Sequence, residues 1–122
     1  MSSEQIKSDI LLQKAKKYAH AVYSLSKEFP KEEQYGLAAQ LRRASISVPL
    51  NIVEGYARQS RKTQTQFLTI AYGSLKESQF ILEFAKDERY LSQQSFQGTY
   101  SAGTEVAKIL WTKISTLKGS SV

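Results

Sequence analysis

Five cations stand close together in this sequence: Arg42 and Arg43, then Arg58, Arg61 and Lys62. Tyr56 lies among them, and Tyr72 follows. Arginine beside aromatic residues is what contact with RNA or DNA requires, because a guanidinium meets phosphate through paired hydrogen bonds while a ring stacks on a base. The whole chain leans the same way, with 17 Lys and Arg against 11 Asp and Glu and a formal charge of +6. A polyanion is therefore a reasonable partner, although a basic surface that merely holds water has the same composition.

A second polar row shares this stretch. Arg43, Ser47, Asn51, Glu54 and Arg58 are three or four residues apart, so a helix stacks them on one face and Glu54 can pair with Arg58. Arg43, Asn51 and Glu54 have two readings. They form either a buried polar network that fixes subunit register or part of the binding surface.

Catalytic chemistry lacks its parts. There is no cysteine and a single histidine. No Glu-x-x-His pair, glycine-rich phosphate loop or inward-facing carboxylate pair occurs. The expectation is a protein that is not an enzyme and uses no cofactor or metal. His20, isolated among lysines, is read as a surface residue. The lack of cysteine fits a reducing cytoplasm, and no apolar run approaches the roughly 20 residues that cross a bilayer.

Helices must position these residues. Residues 1–7 read as a frayed, disordered start, with Ser8 or Asp9 as the cap of a first helix reaching about Glu28. Leu11, Ala15, Tyr18, Val22, Leu25 and Phe29 give it one apolar seam. Phe29 and Pro30 end that helix, and Lys31, Glu32 and Glu33 are expected to open a second, which carries the seam Leu41, Ala44 or Ser45, Val48, Ile52 and Gly55 or Tyr56. Pro49 interrupts its hydrogen bonds, but the seam keeps phase across it, so the reading is a kinked continuous helix. Ser60 caps a third helix over about 61–87, and Ser92 caps a fourth with the seam Phe96, Tyr100, Gly103, Ala107, Leu110, Ile114 and Leu117. Short joints make neighbours antiparallel, giving an all-α, up-down-up-down four-helix bundle over residues 8–118 and a disordered tail over 119–122.

The third helix has the seam Phe67, Ala71, Ser74, Ser78, Ile81 and Ala85, and Gly73, Phe80 and Phe84 fall opposite it. An apolar stripe outside the core marks an interface between copies, unless lysine stems such as that of Lys76 cover it.

The run FPKEEQYGLAAQLRRASISVPLNIVEGYARQS, followed by FLTIAYGSLKES, resembles the four-helix-bundle family that includes proteins encoded in intervening sequences of large-subunit ribosomal RNA genes. The resemblance extends from about the first helix to Leu117 and is densest between Phe29 and Glu77. It implies an up-down bundle assembled as a ring-like homopentamer, without enzymatic activity and with a role on RNA or other nucleic acid. Related accessory proteins of diversity-generating retroelements cooperate with a reverse transcriptase, so the resemblance also leaves room for a scaffold that binds a protein partner. The family's recurring polar positions correspond here to Arg42, Arg43, Ser45, Asn51, Glu54, Gly55 and Arg58. Two departures stand out: Leu50, where a small residue is usual, and Arg61, Lys62, Thr63, which make the start of the third helix more basic than the family pattern.

Overall fold

A computed structural model describes residues 1–119. Its elements are α1 (Ser3–Ser8), α2 (Ile10–Ser26), a single 3-10 turn (Lys31–Glu33), α3 (Leu37–Tyr56), α4 (Arg61–Asp87) and α5 (Gln93–Leu117). The four long helices pack as neighbours in the order α2, α3, α4, α5, and α5 closes against α2. Successive helices alternate in direction, which is the expected up-down-up-down bundle.

The apolar seams explain the packing. Leu11, Ala15, Tyr18, Val22, Leu25 and Phe29 are buried, as are Leu41, Val48 and Ile52 on α3 and Leu68, Ala71, Leu75, Ile81, Leu82 and Ala85 on α4. Phe96, Val106, Ala107, Leu110 and Ile114 complete the core from α5. Gly103 on α5 makes room for side chains of α2 and α4, since a β-carbon there would meet the Tyr18 ring at 2.8 Å and the Gln79 amide at 3.0 Å. The Tyr18 hydroxyl lies 2.6 Å from Ser78 Oγ, so the deepest aromatic residue of α2 satisfies its polar atom inside the core.

The helix ends follow their local chemistry. Asp9 caps α2 by accepting from the Leu12 amide, Ser60 caps α4 at Thr63, and Ser92 caps α5 at Ser95. Gly119 takes φ +68°, the left-handed conformation that stops α5. The expected tail beyond it, residues 120–122, lies outside the described residues.

Two boundaries differ from the sequence reading. Residues 3–8 form the short helix α1 rather than a frayed start, because Ser2 and Gln5 exchange hydrogen bonds as a capping box. The second long helix begins at Leu37, not Lys31. Gly36 has φ −107° and ψ −107°, far from helical geometry, and it breaks the 3-10 turn from α3. Glu33 Oε1 fills the space beside the missing side chain and accepts from the Leu37 amide at 3.0 Å. α3 then runs without a break through the buried Pro49, continuous as the phase of its seam requires.

Candidate nucleic-acid interface

The α3–α4 joint is built by short-range bonds. Ser60 Oγ meets the amide and hydroxyl of Thr63, and Gln64 Nε2 donates to the Arg58 carbonyl at 2.8 Å. The first turn of α4 is thereby fixed, with Arg61 and Lys62 projecting from it. Both are exposed and neither joins an ion pair among the described residues. They share a shallow hollow with Thr65, Gln66, Leu117 and Lys118, so the residue just after α5 adds a third cation that the sequence reading did not connect to them.

The other three cations of the expected cluster are differently employed. Arg58 pairs with Glu54 at 3.1 Å, as the i,i+4 spacing predicts, and its guanidinium lies 4.8 Å from the centre of the Phe67 ring. Arg42 faces inward. Its guanidinium donates to Ser26 Oγ at 2.9 Å and to the Gln34 carbonyl at 2.7 Å, while Gln34 Nε2 donates to the carbonyls of Ser26 and Phe29 at 3.0 Å. Arg42 and Gln34 together close the C-terminal end of α2, where a positive charge also complements the helix dipole. Arg43 is exposed and borders a hollow with Gln40, Ser47, Ser74 and Glu77. About fifteen residues of helix, roughly 22 Å, separate Arg43 from Arg58, so the five cations do not form one patch.

The three-residue polar network divides in the same way. Asn51 Nδ2 donates to Ser47 at the carbonyl and hydroxyl, and Ser47 Oγ lies 2.9 Å from Ser74 Oγ across the α3–α4 interface. Neither Arg43 nor Glu54 bonds to Asn51 among the described residues. Ser47 belongs to the row that the spacing picked out, whereas Ser74 comes from α4 and lies outside it.

Tyr56 is also structural. Its hydroxyl donates to Asp9 Oδ2 at 2.8 Å, and Lys113 Nζ reaches both that hydroxyl at 3.0 Å and Asp9 Oδ1 at 3.3 Å. Burial pushes the Asp9 carboxyl up, but the Leu12 amide, the Tyr56 hydroxyl and the Lys113 charge outweigh it and hold the group below its ordinary value. Burial first, and Asp9 second, raise the Tyr56 hydroxyl. This triad ties the start of α2 to the ends of α3 and α5. No local pattern announces it, because its members are far apart in sequence.

The α4–α5 face carries an aromatic pair. Trp111 is 59% exposed, and its ring packs 5.5 Å from that of Tyr72 at an interplanar angle of 50°. Lys76 Nζ stands 5.8 Å from the Tyr72 ring centre, and Lys108 lines the same hollow. Between Arg61 and Lys76 there is no Asp or Glu, and none follows Glu105 in the chain. The adjacent halves of α4 and α5 are therefore free of acid. The other half of α4 has the opposite character, with Glu77, Glu83 and Asp87, and Glu88 directly after it.

Two apolar surfaces remain uncovered. Phe80 is 66% exposed and Phe84 47% exposed on the outer face of α4, where Gly73 has open space beside it. Lys76 does not cover this stripe among the described contacts; its amine sits near Tyr72. Across the bundle, Tyr23, Ile46, Pro49, Leu50 and Val53 line a groove of about 550 Å³ between α2 and α3, with Lys7, Lys16 and His20 beside them. Leu50, the departure from the family pattern, is thus a groove residue. Among the described residues, no group of His, Asp and Glu is placed to hold a metal ion, and no helix is long and apolar enough to cross a membrane.

Comparison with known proteins agrees with this architecture. A crystal structure of a protein of unknown function from the S23 ribosomal protein family of Bacteroides thetaiotaomicron superposes with a TM-score of 0.81 at 24% identity, covering 86% of this chain and 98% of that one. At that identity the likeness concerns the fold. No curated protein matches the chain. The profile of the 23S rRNA-intervening sequence proteins matches residues 7–112, spanning all four long helices almost to the end of α5, and the chain belongs to that family.

Proposed function

We propose that this protein is a non-catalytic homo-oligomer that binds RNA or DNA through a basic surface at the α3–α4 joint and along the adjoining α4–α5 face. The observation that carries the reading is the separation of charge. Arg61 and Lys62 on α4 and Lys118 just past α5 lie where the adjacent helix halves contain no carboxylate, Lys76 and Lys108 stand at the edge of that region beside Glu77 and Glu105, and none of the five is in an ion pair among the described residues. Charges held in pairs lose much of their attraction for phosphate, whereas unpaired ones release counterions when a polyanion arrives. Arg61 and Lys62 carry the binding, Arg58 and Arg43 contribute less, and Arg42 is assigned to the fold.

Self-association is supported by the two uncovered surfaces. The Phe80–Phe84 ridge is flanked by Glu77, Glu83 and Asp87, while the α2–α3 groove is bordered by Lys7, Lys16 and His20. An acidic apolar ridge and a basic apolar groove on different sides of one molecule suit head-to-tail contacts, which close into a ring when the rotation permits. The ring-like pentamer implied by the family resemblance is an arrangement of that type.

Binding of a labelled oligoribonucleotide, measured against salt concentration, tests the nucleic-acid reading. Replacing both Arg61 and Lys62 by alanine should lower the log-log salt slope by about 1.4, at about 0.7 per single-strand phosphate contact. Weak binding at low salt, unchanged in the double variant, would reject the reading. Recovery of a stoichiometric protein partner after nuclease treatment would instead favour a protein-binding scaffold, the second reading, for which the Phe80–Phe84 ridge is the available face.

A further inference from the structure

Trp111 pairs at the surface with Tyr72, which packs against the edge of the core. A fully buried position would shield the indole, yet more than half of it remains exposed, at 59%. Tyr72 supports one part of the ring at 5.5 Å, and the tilt of 50° leaves an indole surface unpaired. A ring held in this way loses little conformational freedom when something stacks on it. The cations around it are placed for a charged ligand. Lys76 stands 5.8 Å from the Tyr72 ring centre, Lys108 precedes Trp111 by one helical turn, and both line the hollow in which the two rings lie.

We propose that Trp111 and Tyr72 form a stacking platform for an unpaired base of single-stranded nucleic acid, with Lys76 and Lys108 holding the flanking phosphates. This rests on the nucleic-acid reading and adds the form of the ligand. The Arg61–Lys62–Lys118 hollow lies on the same pair of helices, and ten residues of α4 from Lys62 to Tyr72 correspond to roughly 15 Å along its axis. A strand crossing both would meet cations at each end, no carboxylate along α4 between them, and an aromatic surface at one end. A duplex keeps its bases stacked on one another, so it gains the phosphate contacts without the platform.

The sequence contains one tryptophan, so its emission reports on position 111 alone. Unlabelled oligouridylate and oligothymidylate, titrated separately, should quench that emission at the concentrations where labelled versions bind by anisotropy, and a duplex should bind without comparable quenching. If only the uridylate quenches, the ligand is RNA. If both do, the platform accepts either nucleic acid. Trp111→Ala should weaken single-strand binding by about ten-fold, whereas Trp111→Phe should keep most of it. Anisotropic binding with unchanged tryptophan emission and an unaffected Trp111→Ala variant would overturn the platform while leaving the broader reading intact. No binding by anisotropy at low salt would remove both. An emission shift on dilution of the protein without nucleic acid would also overturn it, by placing Trp111 between copies of the chain.

Discussion

Replacing Arg42 with methionine separates a fold-building arginine from a ligand-binding one. Methionine keeps most of the aliphatic volume and removes the guanidinium. Two short bonds disappear, to Ser26 Oγ at 2.9 Å and to the Gln34 carbonyl at 2.7 Å, along with a longer one to Gln34 Oε1 at 3.5 Å. Ser26 is fully buried, though it still donates to the Tyr23 carbonyl at 2.8 Å, so the loss leaves it partly rather than wholly unpaired. Gln34, freed from Arg42, holds the Ser26 and Phe29 carbonyls less firmly, which loosens the end of α2. A hydrogen bond to a charged group is worth about 1.5 to 3 kcal/mol, and half-exposure of the guanidinium lowers that, so the expected cost is about 2 to 3 kcal/mol for the pair. For a domain of this size that corresponds to about 8 to 12 °C in melting temperature. Thermal unfolding by circular dichroism, at matched protein concentration because oligomerisation shifts stability, measures it. Arg61→Met, which breaks no internal bond, should change stability by less than about 0.5 kcal/mol. If Arg42→Met melts with the parent protein and lowers nucleic-acid affinity as much as Arg61→Met, the inward assignment of Arg42 is wrong.

Three other perturbations probe separate parts of the account. Gly103→Ala forces a β-carbon to within 2.8 Å of the buried Tyr18 ring and should destabilise by about 1 to 3 kcal/mol despite alanine's better helix propensity; Gly98→Ala, with open space around it, should stabilise by up to about 1 kcal/mol, and urea titration of both checks the contrast. Asp9 has a lowered carboxyl value in the fold, so its contribution is complete above its unfolded pKa and is lost as pH falls through the lower folded one. Asp9→Asn should therefore reduce stability at neutral pH and flatten the decline below about pH 4, whereas parallel curves for the two proteins would refute the triad. Phe80→Glu, placed on an exposed ridge, should dissociate the oligomer while preserving helicity, and an unchanged mass would refute the interface.

The core could be read from spacing because burial on a helix repeats with the helix itself. Tyr18, Leu41, Ile52, Leu75 and Leu110 all sit where that period places them. The Glu54–Arg58 pair was accessible for the same reason, since i,i+4 geometry is local. What escaped depends on contacts between distant segments or on backbone geometry that composition does not encode. Arg42 looks like a surface cation until Gln34 folds back over the end of α2, and Asp9, Tyr56 and Lys113 meet only after three helices assemble. Gly36 resembles a weak residue in a first turn, whereas its ψ of −107° makes it the break itself. Trp111 pairs with Tyr72 from another helix, so the exposed pair had no signature within either one.

Light scattering of the purified protein at low and high salt, with absorbance at 260 and 280 nm recorded on the same peak, tests the central claim most directly. The account predicts a stable oligomer at both salt concentrations, carrying a nuclease-sensitive excess at 260 nm that high salt removes. A monomer at both, or an oligomer whose absorbance ratio is that of protein alone at low salt, would contradict it.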